Sequence, residues 1–513
     1  MPIFPGLCRE LSGGRGLSRP ALECLHGVVA RGNRVRDPIY ILGAGPAGMA
    51  AAYRLTQLGF PAVVVEREER VGGLAKSIHY QGFILDYGPH RFFTKIPPVL
   101  ELWNHVLGSE QVTVRRLTRI YYRKKYFQYP IQAWEVLRKV GWWESLRIVL
   151  SYLWAQLIPQ PAPQNFADWV KGKFGTRLFQ MFFEGYTEKL WGIPCTEISA
   201  DWAAQRIKGL SLGRAIQKAL GWNRGSVKSL IDQFQFPRLG SGQLYEKMQE
   251  YLLAEGQKVL LNTEVVALRH EGSQIAELQL RNLQTQQETW VPASHVISSI
   301  PLTVLVQSLQ ELPPPKVLQA ARNLRFRNTV LVYLIVQGSQ LFPDNWLYIN
   351  DSTVALGRVT NFANWSPAML PNWEQTPLCC EYWCNFGDPL WQADEKELLA
   401  LAEKELRHIG LLQEQKICSG FVVRLPRTYP IYSGSYKEDL AILQEYLSQF
   451  ENLQVVGRYG SFKYNNQDHS LLMGLLAAEN ILQPGSHNLW QVNSDDDYQE
   501  EIKVTSSPLT VQR

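Results

Sequence analysis

Gly43-Ala44-Gly45-Pro46-Ala47-Gly48 fits the pattern G-x-G-x-x-G, between an apolar run, Ile39-Tyr40-Ile41-Leu42, and an amphipathic stretch over residues 49–59. The order of buried strand, glycine turn and helix restricts the fold more than any other stretch of the chain. Gly43 permits the tight turn, Gly45 lets backbone N–H groups approach a pyrophosphate, and Gly48 lets helix pack on strand. The helix N-terminus then presents partial positive charge to the phosphates. Pro61-Ala62-Val63-Val64-Val65 reads as the next buried strand and ends at Glu66, whose carboxylate can accept both ribose hydroxyls of an adenosine. A bare glycine-rich turn would not carry that strand, helix and acid in register. The expectation is a dinucleotide site in a parallel α/β domain.

The choice of dinucleotide rests on the next stretch. Arg67-Glu68-Glu69-Arg70-Val71-Gly72-Gly73-Leu74 adds a glycine pair beyond Glu66. It resembles the extended fingerprint of FAD-binding amine-oxidase-like flavoproteins, in which that doublet lies along the cofactor. The resemblance implies FAD rather than NAD. In such flavoproteins the backbone of a residue placed like Val265 touches adenine.

Composition narrows the partners. At 513 residues the chain can hold two or three domains with a large core. A hydrophobic content of 45%, a charged content of 19% and a net charge of +5 suit a soluble globular protein and no particular partner class. Nucleic acid needs a concentrated basic patch. The one basic cluster, Arg115-Arg116 to Arg123-Lys124-Lys125, alternates like a β-hairpin turning at Lys124-Lys125, a solvated tip. The seven cysteines contain no C-x-x-C pair. Cys379, Cys380 and Cys384 fall in an aromatic-rich buried strand, so core packing is expected there, with no metal site, in a reducing, cytoplasmic setting. No run of 18 apolar residues exists, so no transmembrane span is expected.

Residues 1–36 hold six arginines, no lysine and no secretory h-region, and read as a disordered leader, a transit peptide or an overlong start. The chain is then expected to divide into residues 37–95 (first FAD-binding part), 96–231 (hairpin and helical cap), 232–301 (second part), 302–420 (antiparallel substrate sheet) and 421–484 (third part). Residues 485–513 read as a frayed tail. In residues 133–158, a helical stretch, Trp142, Leu146, Val149, Leu153 and Leu157 share one stripe and Glu144, Arg147 and Ser151 the other. Burying the apolar stripe is worth about 1.5–3 kcal/mol per side chain. Helix packing is therefore expected, with peripheral membrane contact as the alternative. Strands are expected at 330–336, 346–349, 356–362 and 378–386, with Arg358, Thr360 and Phe362 on one face.

Four further stretches carry a family resemblance. Asp86-Tyr87-Gly88-Pro89-His90 resembles a motif of UDP-galactopyranose mutases and their flavoprotein relatives, which implies that His90 lies against the isoalloxazine. A backbone carbonyl could equally satisfy that imidazole. Tyr129-Pro130-Ile131-Gln132 resembles a segment of fungal-type mutases that contributes Tyr129 and Gln132 to a uridine pocket. Gly185-Tyr186-Thr187-Glu188-Lys189-Leu190-Trp191-Gly192 resembles the mutases' G-Y-T-x-K-x-W-G signature, where Tyr186 and Trp191 could stack on a nucleobase or fill the core. Gly457-Arg458-Tyr459-Gly460-Ser461-Phe462-Lys463-Tyr464, with Asn466-Gln467-Asp468-His469-Ser470, is the most specific. It implies cofactor contacts from Gly457, Arg458, Asn466, Gln467 and Ser470, with a following helix over 471–482 aimed at flavin O2.

The resemblance covers about residues 38–482. It implies an α/β fold: a Rossmann-like (GR2-type) FAD-binding domain with a helical insertion and an antiparallel β-sheet substrate domain. It also implies UDP-galactopyranose mutase-like chemistry, in which N5 of reduced flavin attacks the anomeric carbon and the sugar recloses as the furanose, with NAD(P)H as external reductant. His90, Arg358 and Arg458 would be the catalytic residues. Arg358 and Arg458 would hold the diphosphate of a UDP-sugar with Tyr429 and Tyr464. Glu184 departs from the pattern, standing where fungal-type members carry a further arginine; Arg177, Lys189 or Arg206 could compensate. The alternative is an amine-oxidase or protoporphyrinogen-oxidase-like FAD oxidoreductase acting on an apolar or amine substrate. A non-catalytic FAD-binding protein is a third class, disfavoured by His90 and the paired arginines.

Overall fold

The computed structural model describes residues 37–158, 161–200, 233–339 and 341–493. The leader, Arg206 and Asp495–Asp497 of the tail lie outside the described residues.

Ile39–Leu42 and Ala62–Val65, every residue buried, are neighbours at the middle of a five-stranded parallel sheet. His295–Ser298 and Leu453–Val455 extend it on one side and Lys258–Leu260 on the other. Strands covered on both faces must be apolar throughout, as the two central ones are. On one face lie the helices Pro46–Gln57, Pro97–Leu107, Gln243–Ala254 and Gln467–Leu482. The other face carries a three-stranded antiparallel sheet (Thr263–Glu271, Gln274–Asn282, Glu288–Pro292) and the helices Leu302–Gln307, Pro315–Asn323 and Tyr436–Leu447. The helices Pro46–Gln57 and Gln467–Leu482 touch backbone to backbone at Gly474, where a Cβ would stand 2.1 Å from the Ala47 carbonyl oxygen. The C-terminal segment thus returns to the first βα unit, and the fold is α/β.

The second sheet differs from expectation. It has seven strands, and the hairpin Thr118–Tyr122/Lys125–Gln128 belongs to it, joined by parallel pairing of Thr118–Tyr122 with Trp346–Ile349. The sheet is therefore mixed rather than wholly antiparallel. The hairpin turns at Arg123-Lys124, both at positive φ, one residue earlier than its charges suggested. Ile417–Pro430 pairs along nearly all of Phe326–Gln337 and carries the sheet across the expected boundary at residue 420. Lys258–Leu260 is separated from Thr263–Glu271 by a turn at Asn262 (φ 49°), and Glu288–Pro292 from His295–Ser298 by a short turn, so each pair divides between two sheets.

The helical insertion corrects two further expectations. Residues 133–158 form two helices, Ala133–Val140 and Trp142–Leu157, broken at Gly141 (φ 92°). The second helix turns inward the side that carries Glu144, Ile148 and Ser151, while Arg147 stays exposed. Trp142, Leu146, Leu153 and Leu157 are exposed and Val149 half-buried, whereas Ile148 is buried. Polar pairing selects that face: Glu144 binds Arg177, and the Arg177 amide donates to Ser151 Oγ at 3.1 Å. A Cβ at Gly175 would lie 2.8 Å from the Ser151 backbone, so a glycine permits this close contact. The tail was also misjudged in part. Leu489 and Val492 are buried against the helices of the first sheet, and Asn493 donates to Asn465 Oδ1 at 2.9 Å.

Candidate active site

One cavity of about 1130 Å³ runs from the Gly43–Gly48 turn to the aromatic face of the seven-stranded sheet. Ligand pockets commonly span roughly 300–1,000 Å³, so it can hold a long cofactor and a substrate together.

At the first end each glycine has a separate reason. Gly43 sits at φ 94°. A Cβ at Gly48 would stand 1.9 Å from the Gly43 carbonyl oxygen, so Gly48 serves helix–strand contact. A Cβ at Gly45 would meet only Gly73 Cα, at 3.9 Å, and otherwise open cavity. Gly72 and Gly73 both take positive φ, and the two glycine turns abut there. The Glu66 carboxylate is buried and accepts from the amides of Ala44 (2.7 Å) and Glu68 (3.0 Å). Burial raises its pKa, opposed by those two amides and by Lys76. Leu74, Val265, Gly457, Asn466, Gln467 and Ser470 line the cavity, while Gly48 and Gly72 stand behind it. Gln467 is fixed by Tyr245 and Ser241 (2.6 and 3.2 Å) at the first turn of Gln467–Leu482, which begins four residues earlier than its apolar pattern implied. These residues fit a flavin dinucleotide.

At the other end His90 lines the cavity with its Nδ1 buried and unbonded. Burial, then the charges of Arg358 and Arg458, lower its pKa to about 3, so the imidazole is neutral. Arg358 stands directly across from Glu381 on the neighbouring strand, with Nε to Oε1 at 2.6 Å and a second bond from Nη2 to Oε2. Burial would pull the guanidinium pKa down, but the Glu381 carboxylate outweighs it and holds Arg358 charged. Arg358 Nη2 also reaches the Tyr429 hydroxyl at 3.5 Å. Arg458 comes from the short helix Gly457–Gly460 and donates to the carbonyls of Thr428 and Asn465. Its guanidinium lies 4.3 Å from the Tyr464 ring centre and 4.9 Å from that of Tyr429, and those two rings are stacked. Burial pushes the Tyr429 hydroxyl up to about 12, so it is a donor at neutral pH.

The structure thus brings His90, Arg358, Arg458, Tyr129, Tyr186, Tyr429 and Tyr464 to one cavity and leaves two named residues out. Gln132 is exposed at the start of Ala133–Val140, bonded to Gln128. Trp191 is buried beneath the lining, stacked on Tyr432, so of its two readings it fills the core. Glu184 is not in the lining either. Of its suggested compensators, Arg177 is paired with Glu144, and Lys189 donates to the carbonyls of Ile349, Asp351 and Leu356. Sequence reasoning missed Glu381, although a single acid within the apolar run of Gln375–Cys384 was a usable signal. It also missed Arg427, at φ 58° in the lining, which carried no signal.

Residues 46–482 match the family described as flavin containing amine oxidoreductase. The chain belongs to that family. The flavin-containing amine oxidoreductase fold and a flavin cofactor are therefore properties of this chain. The "Probable UDP-galactopyranose mutase" of Klebsiella pneumoniae is 27% identical over 169 residues, 32% of this chain and 43% of that protein, so the match spans under half of that relative. The coproporphyrinogen III oxidase of Propionibacterium freudenreichii subsp. freudenreichii is 23% identical over 470 residues, 80% of this chain and 84% of that one. Among solved structures, reduced UDP-galactopyranose mutase superposes with a TM-score of 0.77 at 22% identity, covering 90% of this chain and 98% of that one. Wild-type putrescine oxidase bound to putrescine gives 0.57 at 16%, covering 87% and 99%. At such identities the superpositions speak for the fold alone.

Proposed function

We propose that this family member binds FAD and acts as a UDP-galactopyranose mutase-like enzyme, interconverting pyranose and furanose forms of a UDP-sugar. The observation that carries the reading is the convergence of Arg358 and Arg458. They come from different parts of the chain, a strand of the seven-stranded sheet and a turn of the parallel-sheet domain, and meet at Tyr429, Arg358 at its hydroxyl and Arg458 over its ring. Reduced flavin supplies the nucleophilic nitrogen in this chemistry, with NAD(P)H as external reductant. The chain's own groups do the rest. Arg458 presents positive charge, and the Tyr429 and Tyr464 hydroxyls donate to the diphosphate. Tyr186 and Tyr129 offer ring faces to the base. Neutral His90 would line the flavin end of the cavity without adding a charge there.

A second reading, a flavin oxidoreductase on an apolar or amine substrate, is favoured by one specific observation. Glu381 occupies both arms of the Arg358 fork, so the pair is close to neutral as it stands. Calorimetric titration of UDP into oxidised and dithionite-reduced protein separates the two. Binding that tightens on reduction supports the mutase reading. No UDP binding in either state leaves the oxidoreductase.

A further inference from the structure

The helix pair Ala133–Val140 and Trp142–Leu157 turns an apolar face outward. Trp142 is 77% exposed, Trp154 69% and Leu157 79%, and Trp134, Trp143 and Leu150 are also exposed. Scattered exposed apolar residues are ordinary, but a contiguous face of this kind marks an interaction surface. Charge beside the face indicates what covers it. The hairpin tip Arg123-Lys124-Lys125 is exposed and strapped to the first helix, Lys125 reaching the Lys139 carbonyl and Lys139 the Tyr126 carbonyl. Arg138 and Arg147 are exposed on the helices themselves. The two carboxylates of the pair are turned inward and satisfied, Glu135 by Lys139 at 2.7 Å and Glu144 by Arg177. Six basic side chains on hairpin and helices thus face two paired acids, all beside tryptophan and leucine.

We propose that this face docks on an anionic lipid bilayer. Tryptophans would sit at headgroup level, leucines just below, and the hairpin tip and arginines against acidic headgroups. Tryptophan and leucine on one side with lysine and arginine around them is the pattern of a helix lying in the membrane interface. A protein partner would not require the basic rim, and a second copy of the chain would bring that rim against itself. No helix among the described residues is long and apolar enough to cross a membrane, so the contact is peripheral. The docking face adjoins the candidate active site: Tyr129 and Ile131 line the cavity and pack in the same apolar cluster as Val136 and Ile148 of the two helices.

The test is flotation of the full-length, flavin-loaded protein with vesicles of phosphatidylcholine alone or with one third phosphatidylglycerol. The protein should float with the anionic vesicles about tenfold more strongly than with neutral ones, and high salt should remove the difference. Trp142→Ser/Trp154→Ser/Leu157→Ser should lose flotation while keeping its flavin. Arg123→Gln/Lys124→Gln/Lys125→Gln should lose the anionic preference. Quenching of wild-type tryptophan fluorescence by bromine-labelled lipid reads the same contact without any variant. Absence of flotation, or flotation unchanged in the tryptophan–leucine variant, overturns the proposal. So does a wild-type dimer that this variant converts to monomer without vesicle binding, since a second copy would then cover the face.

Discussion

Arg358 and Glu381 are direct cross-strand partners, joined by two bonds and roofed by Gly88 of the His90 loop, where a Cβ would stand 3.1 Å from Glu381 Oε1. The pair therefore ties Arg358 to the loop that carries His90. Glu381 is almost fully buried, so removing its charge leaves a guanidinium without its counter-ion. Glu381→Gln should cost about 3–5 kcal/mol of stability, the usual penalty for breaking a buried pair, read by urea unfolding. If Arg358 is a diphosphate ligand, the same variant should bind UDP more tightly than wild type, because the fork is released. Weaker UDP binding in Glu381→Gln would instead mean that the pair positions Arg358 as a unit.

Two glycines of one turn should fail differently. At Gly45 a side chain enters the cavity and meets only Gly73 Cα. Gly45→Val should therefore fold, judged by circular dichroism, yet purify colourless. At Gly48 even a methyl group collides with the Gly43 carbonyl oxygen at 1.9 Å. Gly48→Ala should lose several kcal/mol of stability through overpacking of strand against helix, visible as a lowered melting temperature in the flavin-free protein. A yellow Gly45→Val protein would contradict the placement of the pyrophosphate.

The centre of the parallel sheet was legible because its two middle strands are continuous apolar runs of four residues bounded by glycine, proline or an acid. Ile39–Leu42 and Ala62–Val65 need no tertiary context to be recognised. The helix Trp142–Leu157 shows the opposite case. Periodicity located two stripes and favoured burial of the apolar one, whereas the choice depends on Arg177 and Gly175, more than twenty residues away. The tail was missed for a related reason: Leu489 and Val492 form a pair too short for a pattern, and only the neighbouring helices give them a partner. In the site, residue types indicated Arg358 and Arg458, but their partners are set by tertiary structure. Strand register places Glu381 opposite Arg358, whereas the turn Gly457–Gly460 sets Arg458 against the carbonyl oxygens of Thr428 and Asn465.

His90 gives a pH prediction. Burial, with Arg358 and Arg458 nearby, lowers its pKa from 6.5 to about 3, so the folded protein holds it neutral. Below pH 6.5 the unfolded chain binds a proton that the folded chain does not. Stability should then be fully present above pH 6.5 and fall as pH drops toward 3. His90→Gln should remove part of that slope. Urea unfolding of the flavin-free protein at pH 7 and pH 5 measures it, and an equal loss in both proteins would show that other groups carry the acid limb.

Arg458 separates the two chemical readings most sharply, because no carboxylate among the described residues pairs with its guanidinium. Its Nε and Nη2 hydrogens go to the Thr428 carbonyl (2.8 and 2.6 Å) and one on Nη1 to that of Asn465 (3.0 Å), leaving the remaining donors toward the stacked rings of Tyr429 and Tyr464. Carbonyl dipoles orient the guanidinium without neutralising it, which suits a ligand for a dianion. Arg458→Ala should weaken UDP binding to reduced protein by about 2–5 kcal/mol, measured calorimetrically, with flavin absorbance retained. Arg458→Lys keeps the charge but cannot bridge Thr428 and Asn465 with a planar fork, so it should recover only part of the loss. An oxidoreductase with an uncharged substrate predicts something else: little change in substrate affinity for Arg458→Lys. UDP affinity that is measurable and equal in wild type and Arg458→Ala would remove the diphosphate clamp and leave the flavoenzyme.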